Sequence, residues 1–259
     1  MSIYIRASAL GCLMVEPPST KISEKQLLTL EGLLSKIKLT EKQAEHRDYL
    51  LSKRDALPSL SAGAKTFVKE LWLEKNYGIK KTISNKYIDK GNEVENLSIK
   101  LAETMLDLGK MEKNQKRYEN DFICGTPDVV TKTHIVDVKS SWSAVSFPFF
   151  DDELKNKGYE WQMKSYMWLT GIHKSYLCYC LVPTPELIIE DEIRRVSWSR
   201  GEGSEVSQEV EDEVRSFHDL SQIPAWERIK SFEVILTDED IEKMKQKVIL
   251  AREYYNTLK

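Results

Sequence analysis

The chain has 259 residues, 41% apolar and 31% charged, which is enough to bury a core without disulfide staples. A net charge of −3 excludes a histone-like basic protein but leaves room for a local basic cleft, for which Lys80, Lys81, Lys86, Lys90, Lys113, Lys116 and Arg117 are the candidates. No stretch approaches the roughly 18 consecutive apolar residues of a membrane span, and no apolar signal core opens the chain, so a cytoplasmic protein is expected. Cys12, Cys124, Cys178 and Cys180 form no CxxC pair and are expected to be buried reduced thiols.

Ile3 to Met14 reads as a short β-like or partly helical opening, closed by Pro17 and Pro18. Residues 23–56 are expected to be helical, Pro58 to Gly63 interrupts, and a helix over about 62–77 stops near Gly78. Val94, Leu97, Leu101, Met105 and Leu108 recur at intervals of three and four, which predicts an amphipathic helix over 91–108. Short strands are predicted at about 118–124, 127–131 and 134–139, a helix at 158–170 ended by Gly171, a buried strand at 175–182 and a further strand at 187–196. Residues 201–219 are acidic and poor in apolar side chains, and are expected to be solvated. A strand at 231–236 and a helix at 238–258 follow, Thr237 and Asp240 standing as a capping pair. This order predicts a mixed α/β sandwich in a single domain over 1–259: an N-terminal helical region 1–78, a core over 91–183 and a C-terminal strand–helix extension over 231–259.

The chemistry concentrates in residues 125–142, GTPDVVTKTHIVDVKSSW. Strand alternation puts Ile135, Asp137 and Lys139 on one face, Val136 and Val138 on the other. If the core takes the valines, Asp137 and Lys139 share a polar face. A hairpin turning at Lys132 and Thr133 pairs Thr131 with His134 and sets Asp128 opposite Asp137, with Cβ atoms about 4.5–5.5 Å apart. Two carboxylates that close call for positive charge between them, such as a divalent cation. Glu93 and Glu95 point about 200° apart around their helix, so only one of them can face such a site. Gln162 and Tyr166, at i and i+4, share a helix face. Ser140 and Ser141 follow Lys139 and are candidate phosphate donors, and Trp142 is a candidate stacking or cleft-wall residue.

Pro127-Asp128 followed by Asp137-Val138-Lys139 resembles the PD-(D/E)xK nucleases. Gly91-Asn-Glu-Val-Glu95 is similar to the Gly-x-x-x-Glu helix of the lambda-exonuclease-like branch, the YqaJ viral recombinase family, and Gln162-Met-Lys-Ser-Tyr166 to its Gln-x-x-x-Tyr motif. Arg6-Ala-Ser8 resembles, more faintly, the Arg/Ser segment at the N-terminus of that family. The resemblance implies a PD-(D/E)xK restriction-endonuclease-like α/β core, a mixed central sheet flanked by helices. It implies a Mg²⁺- or Mn²⁺-dependent DNA exonuclease that resects duplex ends in phage-type recombination or repair, with 5′→3′ polarity. A structure-specific endonuclease and a non-catalytic DNA-binding module are the alternatives. By resemblance Glu95, rather than Glu93, joins Asp128, Asp137 and the Val138 carbonyl as metal ligands. Lys139 and Gln162 are implied as catalytic, and Ser140, Ser141, Trp142 and Tyr166 would meet substrate. The expected partners are double-stranded DNA ends, a single-strand annealing protein and further copies of the chain, as in a ring trimer. The iron–sulfur relatives carry a cysteine cluster near the C-terminus, whereas the last cysteine here is Cys180, so no iron–sulfur cluster is expected.

Overall fold

The structure, a computed structural model, describes residues 3–17, 22–81 and 85–258; the expected stop at Pro18 lies outside them. In chain order the described elements are β1 (Ile5–Arg6), α1 (Ala7–Leu10), α2 (Glu24–Leu34), α3 (Glu41–Arg54), α4 (Ala62–Tyr77), α5 (Lys86–Met105), β2 (Tyr118–Glu119) and β3 (Ile123–Gly125). There follow β4 (Val129–Val130), β5 (Ile135–Ser140), α6 (Lys157–Thr170), β6 (Ser175–Cys180), α7 (Glu186–Ser199), α8 (Gln208–His218), β7 (Ile229–Val234) and α9 (Asp238–Thr257). They fall into two compact units, one of Met1–Ile5, Ala9–Lys81 and Asp238–Lys259, the other of Arg6–Ser8 and Thr82–Thr237. Among the described residues no helix is long and apolar enough to cross a membrane.

In the first unit, the helix expected over 23–56 is two helices. Ser23 with Gln26, and Thr40 with Gln43, form reciprocal capping boxes, so the chain restarts at Thr40 and folds back. Leu30 and Leu33 of α2 then meet Leu50 of α3. Helix α4 ends at Gly78, whose φ of +71° is the left-handed cap that glycine adopts without a Cβ clash. It packs on α9, and Asn76 Nδ2 donates to the Tyr255 hydroxyl at 3.2 Å.

The second unit holds a four-stranded sheet in the order β4-β5-β6-β7 and a small sheet in the order β1-β3-β2. In the larger sheet β5 and β6 are parallel and the outer pairs antiparallel. Val94, Ile99 and Ala102 of α5 cover one face, packed on Val129, Val136, Val138, Cys178 and Cys180. Met163, Tyr166 and Met167 of α6 cover the other, packed on Ile135, Leu177 and Val234. Helix α5 starts at Lys86, earlier than expected, because Asn85 Oδ1 accepts from the Tyr87 and Ile88 N–H groups.

One expectation is overturned in this unit and another is met in part. Residues 187–196 lie in helix α7: Ile188 and Ile193 are buried, Asp191 between them is exposed and Glu192 turns in to pair with Lys86, so the period is helical where strand alternation was expected. The acidic stretch 201–219 is only partly solvated, because α8 buries Val210 and Val214 against Ile193 of α7. The sparse apolar residues of that stretch stand four apart, which suffices for one buried stripe.

Candidate active site

The hairpin forms as expected. Val129 pairs with Val136 and Val130 with Ile135, and the Thr131 N–H donates to the His134 carbonyl at 3.0 Å. This register sets Asp128, one residue before β4, opposite Asp137. Asp128 does not face open solvent: its Oδ2 accepts from the Val138 N–H at 2.8 Å. The face carrying Asp137 departs from expectation. Helices cover both sides of the sheet, so Ile135 is buried beside the valines and Asp137 is only 1% exposed. Lys139, half-buried at the strand end, reaches back to Asp137 Oδ2 at 2.5 Å, and its Nζ lies 4.9 Å from the Tyr159 ring centroid.

A cavity of 370 Å³ opens here, lined by Glu95, Asp128, Val138, Lys139 and Ser140 together with Tyr159. Helix α5 delivers Glu95, while Glu93 on the same turn is exposed. Gln162 and Tyr166 are buried on α6, Gln162 Nε2 donating to the Tyr166 hydroxyl at 2.9 Å. Ser140 Oγ lies 2.8 Å from Ser98 Oγ. Ser141 and Trp142 are buried just beyond the strand. The Trp142 ring is enclosed edge-on by Tyr87 at 5.3 Å and His218 at 4.8 Å, a wall rather than an open stacking platform. Sequence reasoning did not select Tyr159, and it read Lys90 and Lys113 only as candidates for a basic cleft, not as the buried lysine and the partner of Glu95 that they are. Of these, Lys90 had a signal in its place four residues before Val94, on the helix face that turns inward.

The electrostatics follow from crowding. Burial, followed by the charge of Asp137, pushes the Asp128 carboxyl up to about 8. For Lys139 burial acts downward, but Asp137 and Asp128 outweigh it and hold the ammonium charged well above its usual range. Burial and the Asp137 charge raise the Tyr166 phenol, keeping it protonated.

Among the described residues no group of three or more His, Cys, Asp or Glu side chains is arranged to hold a metal ion. Glu95, a further carboxylate of the cavity, pairs with Lys113 at 2.8 Å. The oxygen donors themselves suit a hard divalent cation. Asp137 Oδ2 is buried and, its ion pair with Lys139 apart, receives no hydrogen bond, and burial with the Asp137 charge favours the protonated form of Asp128, a bias that a cation would reverse. The residues present therefore fit such an ion, with Lys113 occupying the third carboxylate.

A second cavity, of 310 Å³, is lined by Arg6, Ser8, Arg117 and Thr126, with Tyr166 in its wall. It lies in the same unit, and Tyr166 connects it to Gln162.

No protein-family model and no curated protein matches the chain. Solved structures do. A phage-related exonuclease from Haemophilus somnus shares 28% identity over 100% of this chain and 96% of its own, with a TM-score of 0.69. An alkaline exonuclease from Laribacter hongkongensis aligns over 98% of this chain and 88% of its own at 11% identity and a TM-score of 0.53, which shows the fold alone. The mixed α/β core is thus of the PD-(D/E)xK-like restriction-endonuclease kind and is homologous in structure to that of phage and alkaline exonucleases.

Proposed function

We propose that this chain is a Mg²⁺- or Mn²⁺-dependent deoxyribonuclease of the lambda-exonuclease-like, YqaJ type that degrades duplex DNA from its ends. The observation that carries the reading is the hairpin register, which places Asp128 opposite Asp137 with Lys139 paired to Asp137 beside Glu95. Full-length similarity to a phage-related exonuclease supports it.

Asp128, Asp137 and the Val138 carbonyl are the groups that would hold the ion, with Glu95 joining once it leaves Lys113. Such an ion, when bound, supplies positive charge to the scissile phosphate and makes water more acidic. Lys139, charged at neutral pH, orients the attacking water and neutralises charge gathering on the phosphate. Its proton stays on Nζ while Asp137 is ionised beside it. Gln162 has a second amide hydrogen for a phosphate oxygen or a water, and Tyr166, kept protonated, fixes the orientation of that amide. The cavity that Arg6, Arg117, Ser8 and Thr126 line supports an end-directed enzyme, because guanidiniums and hydroxyls in one lining suit a terminal phosphate, for which Arg117 would leave Glu119. A 5′→3′ polarity belongs to the same proposal.

Linear duplexes labelled at the 5′ or the 3′ end, digested with Mg²⁺ or Mn²⁺ beside a closed circle, test it. Mononucleotide release from 5′ ends with the circle intact is the expected result. Cutting of the circle would turn the reading to an endonuclease, and no cleavage of either would remove it.

A further inference from the structure

Lys90 takes no part in the chemistry proposed above, yet it is one of the most deeply buried large side chains, at 1% exposure. Its ammonium has left water without a carboxylate hydrogen-bonded to it. Nζ donates to the Ser141 carbonyl at 2.8 Å and the Trp142 carbonyl at 2.9 Å, and lies 5.9 Å from the Trp142 ring centroid. Burial lowers its pKa to about 8. Desolvating an ammonium is costly, and a methionine would fill the same volume without that cost. Packing alone therefore does not account for a lysine here. What the ammonium does, and an apolar side chain cannot, is hold two successive carbonyls at once.

Those carbonyls follow β5 directly, the strand that carries Asp137 and Lys139. The same helical turn grips the same segment through Lys86, whose Nζ sits 4.7 Å from the Trp142 ring centroid, and through the Tyr87 edge contact. Further along α5, Ser98 Oγ meets Ser140 Oγ at 2.8 Å, and Cys180 Sγ donates to the Ser98 carbonyl at 3.5 Å. Glu95 lies between these two ties, about 7.5 Å along the helix axis from Lys90. The apolar contacts of Val94, Ile99 and Ala102 hold the helix down, but hydrophobic contact is non-directional and leaves sliding and rotation open. The polar ties close those freedoms.

We propose that Lys90 is a positioning residue that, through the Ser141 and Trp142 carbonyls, sets α5 against β5 and so fixes the reach of Glu95 toward Asp128 and Lys139. This rests on the nuclease reading. The assignment explains why the lysine stands on the inward face near Glu95, and why it binds backbone rather than a carboxylate, which would compete for the cation.

The test is Lys90→Met in the full chain, followed by single-turnover cleavage of a linear duplex and by calorimetric titration with Mn²⁺ alone. A displacement of about 1 Å at the site predicts a cleavage rate lowered about 100-fold, with duplex affinity in Ca²⁺ unchanged and Mn²⁺ binding weakened. Lys90→Arg, which keeps the donors, recovers most of the rate. In a Glu95→Gln background Lys90→Met adds less than about twofold, because the lysine acts through that glutamate. A full second loss in that background, or wild-type rate and Mn²⁺ affinity in Lys90→Met, overturns the proposal. If Lys90→Met does not fold, Ser98→Ala, which loosens the other tie of the same seam, is taken through the same cycle under the same criteria. A wild-type protein that neither cleaves DNA nor binds Mn²⁺ removes the nuclease reading and this proposal together, whereas a cleaving wild type matched by Lys90→Met removes the proposal alone.

Discussion

Asp128 and Lys139 both hold their protons to higher pH than they would in water, for different reasons: burial acts first on Asp128, and the neighbouring carboxylates outweigh burial at Lys139. The Asp128 carboxyl ionises near 3.8 when unfolded and near 8 when folded. Between those values the folded chain keeps a proton that the unfolded chain has released, so stability falls as pH rises from about 4 to about 8. Asp128→Asn retains an acceptor for the Val138 N–H and never ionises. In chelator-treated protein at pH 8 its melting temperature should exceed that of the wild type by at least about 4 °C, with the gap narrowing toward pH 5; equal melting at pH 8 would show that burial does not act on this carboxyl. Lys139→Met should have the reverse character. It leaves Asp137 buried and unpaired, which costs about 3–5 kcal/mol in the absence of a cation, and Mn²⁺ should restore more stability to this variant than it adds to the wild type. Its cleavage rate should nevertheless stay about 10²–10⁴-fold down. Thermal melts with and without Mn²⁺, paired with single-turnover cleavage, check both halves. The opposed carboxylates were legible because strand pairing is arithmetic: the register follows once the turn is placed at Lys132 and Thr133. The burial of Asp137 was not legible, since one strand does not reveal that helices cover both faces of its sheet.

Elements position these residues through contacts that leave little slack. A Cβ on Gly125 of β3 would stand 2.7 Å from Tyr166 Cε1 and 2.9 Å from the Ala7 Cβ, against a ring that is only 4% exposed. Gly125→Ala should therefore push α6 off β3, cost about 1–3 kcal/mol of stability and loosen the Gln162–Tyr166 bond. Cleavage should fall beyond what lost stability explains, measured well below the melting temperature; full activity there would show that the Tyr166 ring moves freely. At this scale the sequence was readable where its period was strong, as in α5 and α9, and where glycine closed a helix, as at Gly78 and Gly171. It failed where the pattern was ambiguous rather than where helices are short, since α7 is as long as the correctly read α6, at 14 residues each. Helix α7 interleaves acids with isoleucines, which imitates alternation, and the break between α2 and α3 is written in two SxxQ-like caps, Ser23–Gln26 and Thr40–Gln43, rather than in glycine or proline.

Across the whole molecule, the charge of −3 is uneven, with the stretch 201–219 holding seven acids against Arg215 alone. Lys80, Lys81, Lys86 and Lys113, candidates for a basic face by sequence, each pair with a glutamate, so the positive surface they promised is largely neutralised. Phosphates would have to exchange with those glutamates, which lowers the net gain from counterion release. The division into units has a consequence for synthesis. The first unit unites Ala9–Lys81 with Asp238–Lys259, so α4 leaves the ribosome long before its partner α9. At about 5–20 residues per second the wait is about 10–30 s, during which the second unit is translated in full. The face of α4 that buries Ala64 and Val68 stays uncovered for that interval. Ribosome-stalled chains ending before Asp238 should therefore lose α4 to brief protease treatment while β4 to β7 resist it, and equal resistance in both would mean that α4 folds without its later partner. Helix α4, made early, thus gains its packing partner only when the last helix is made.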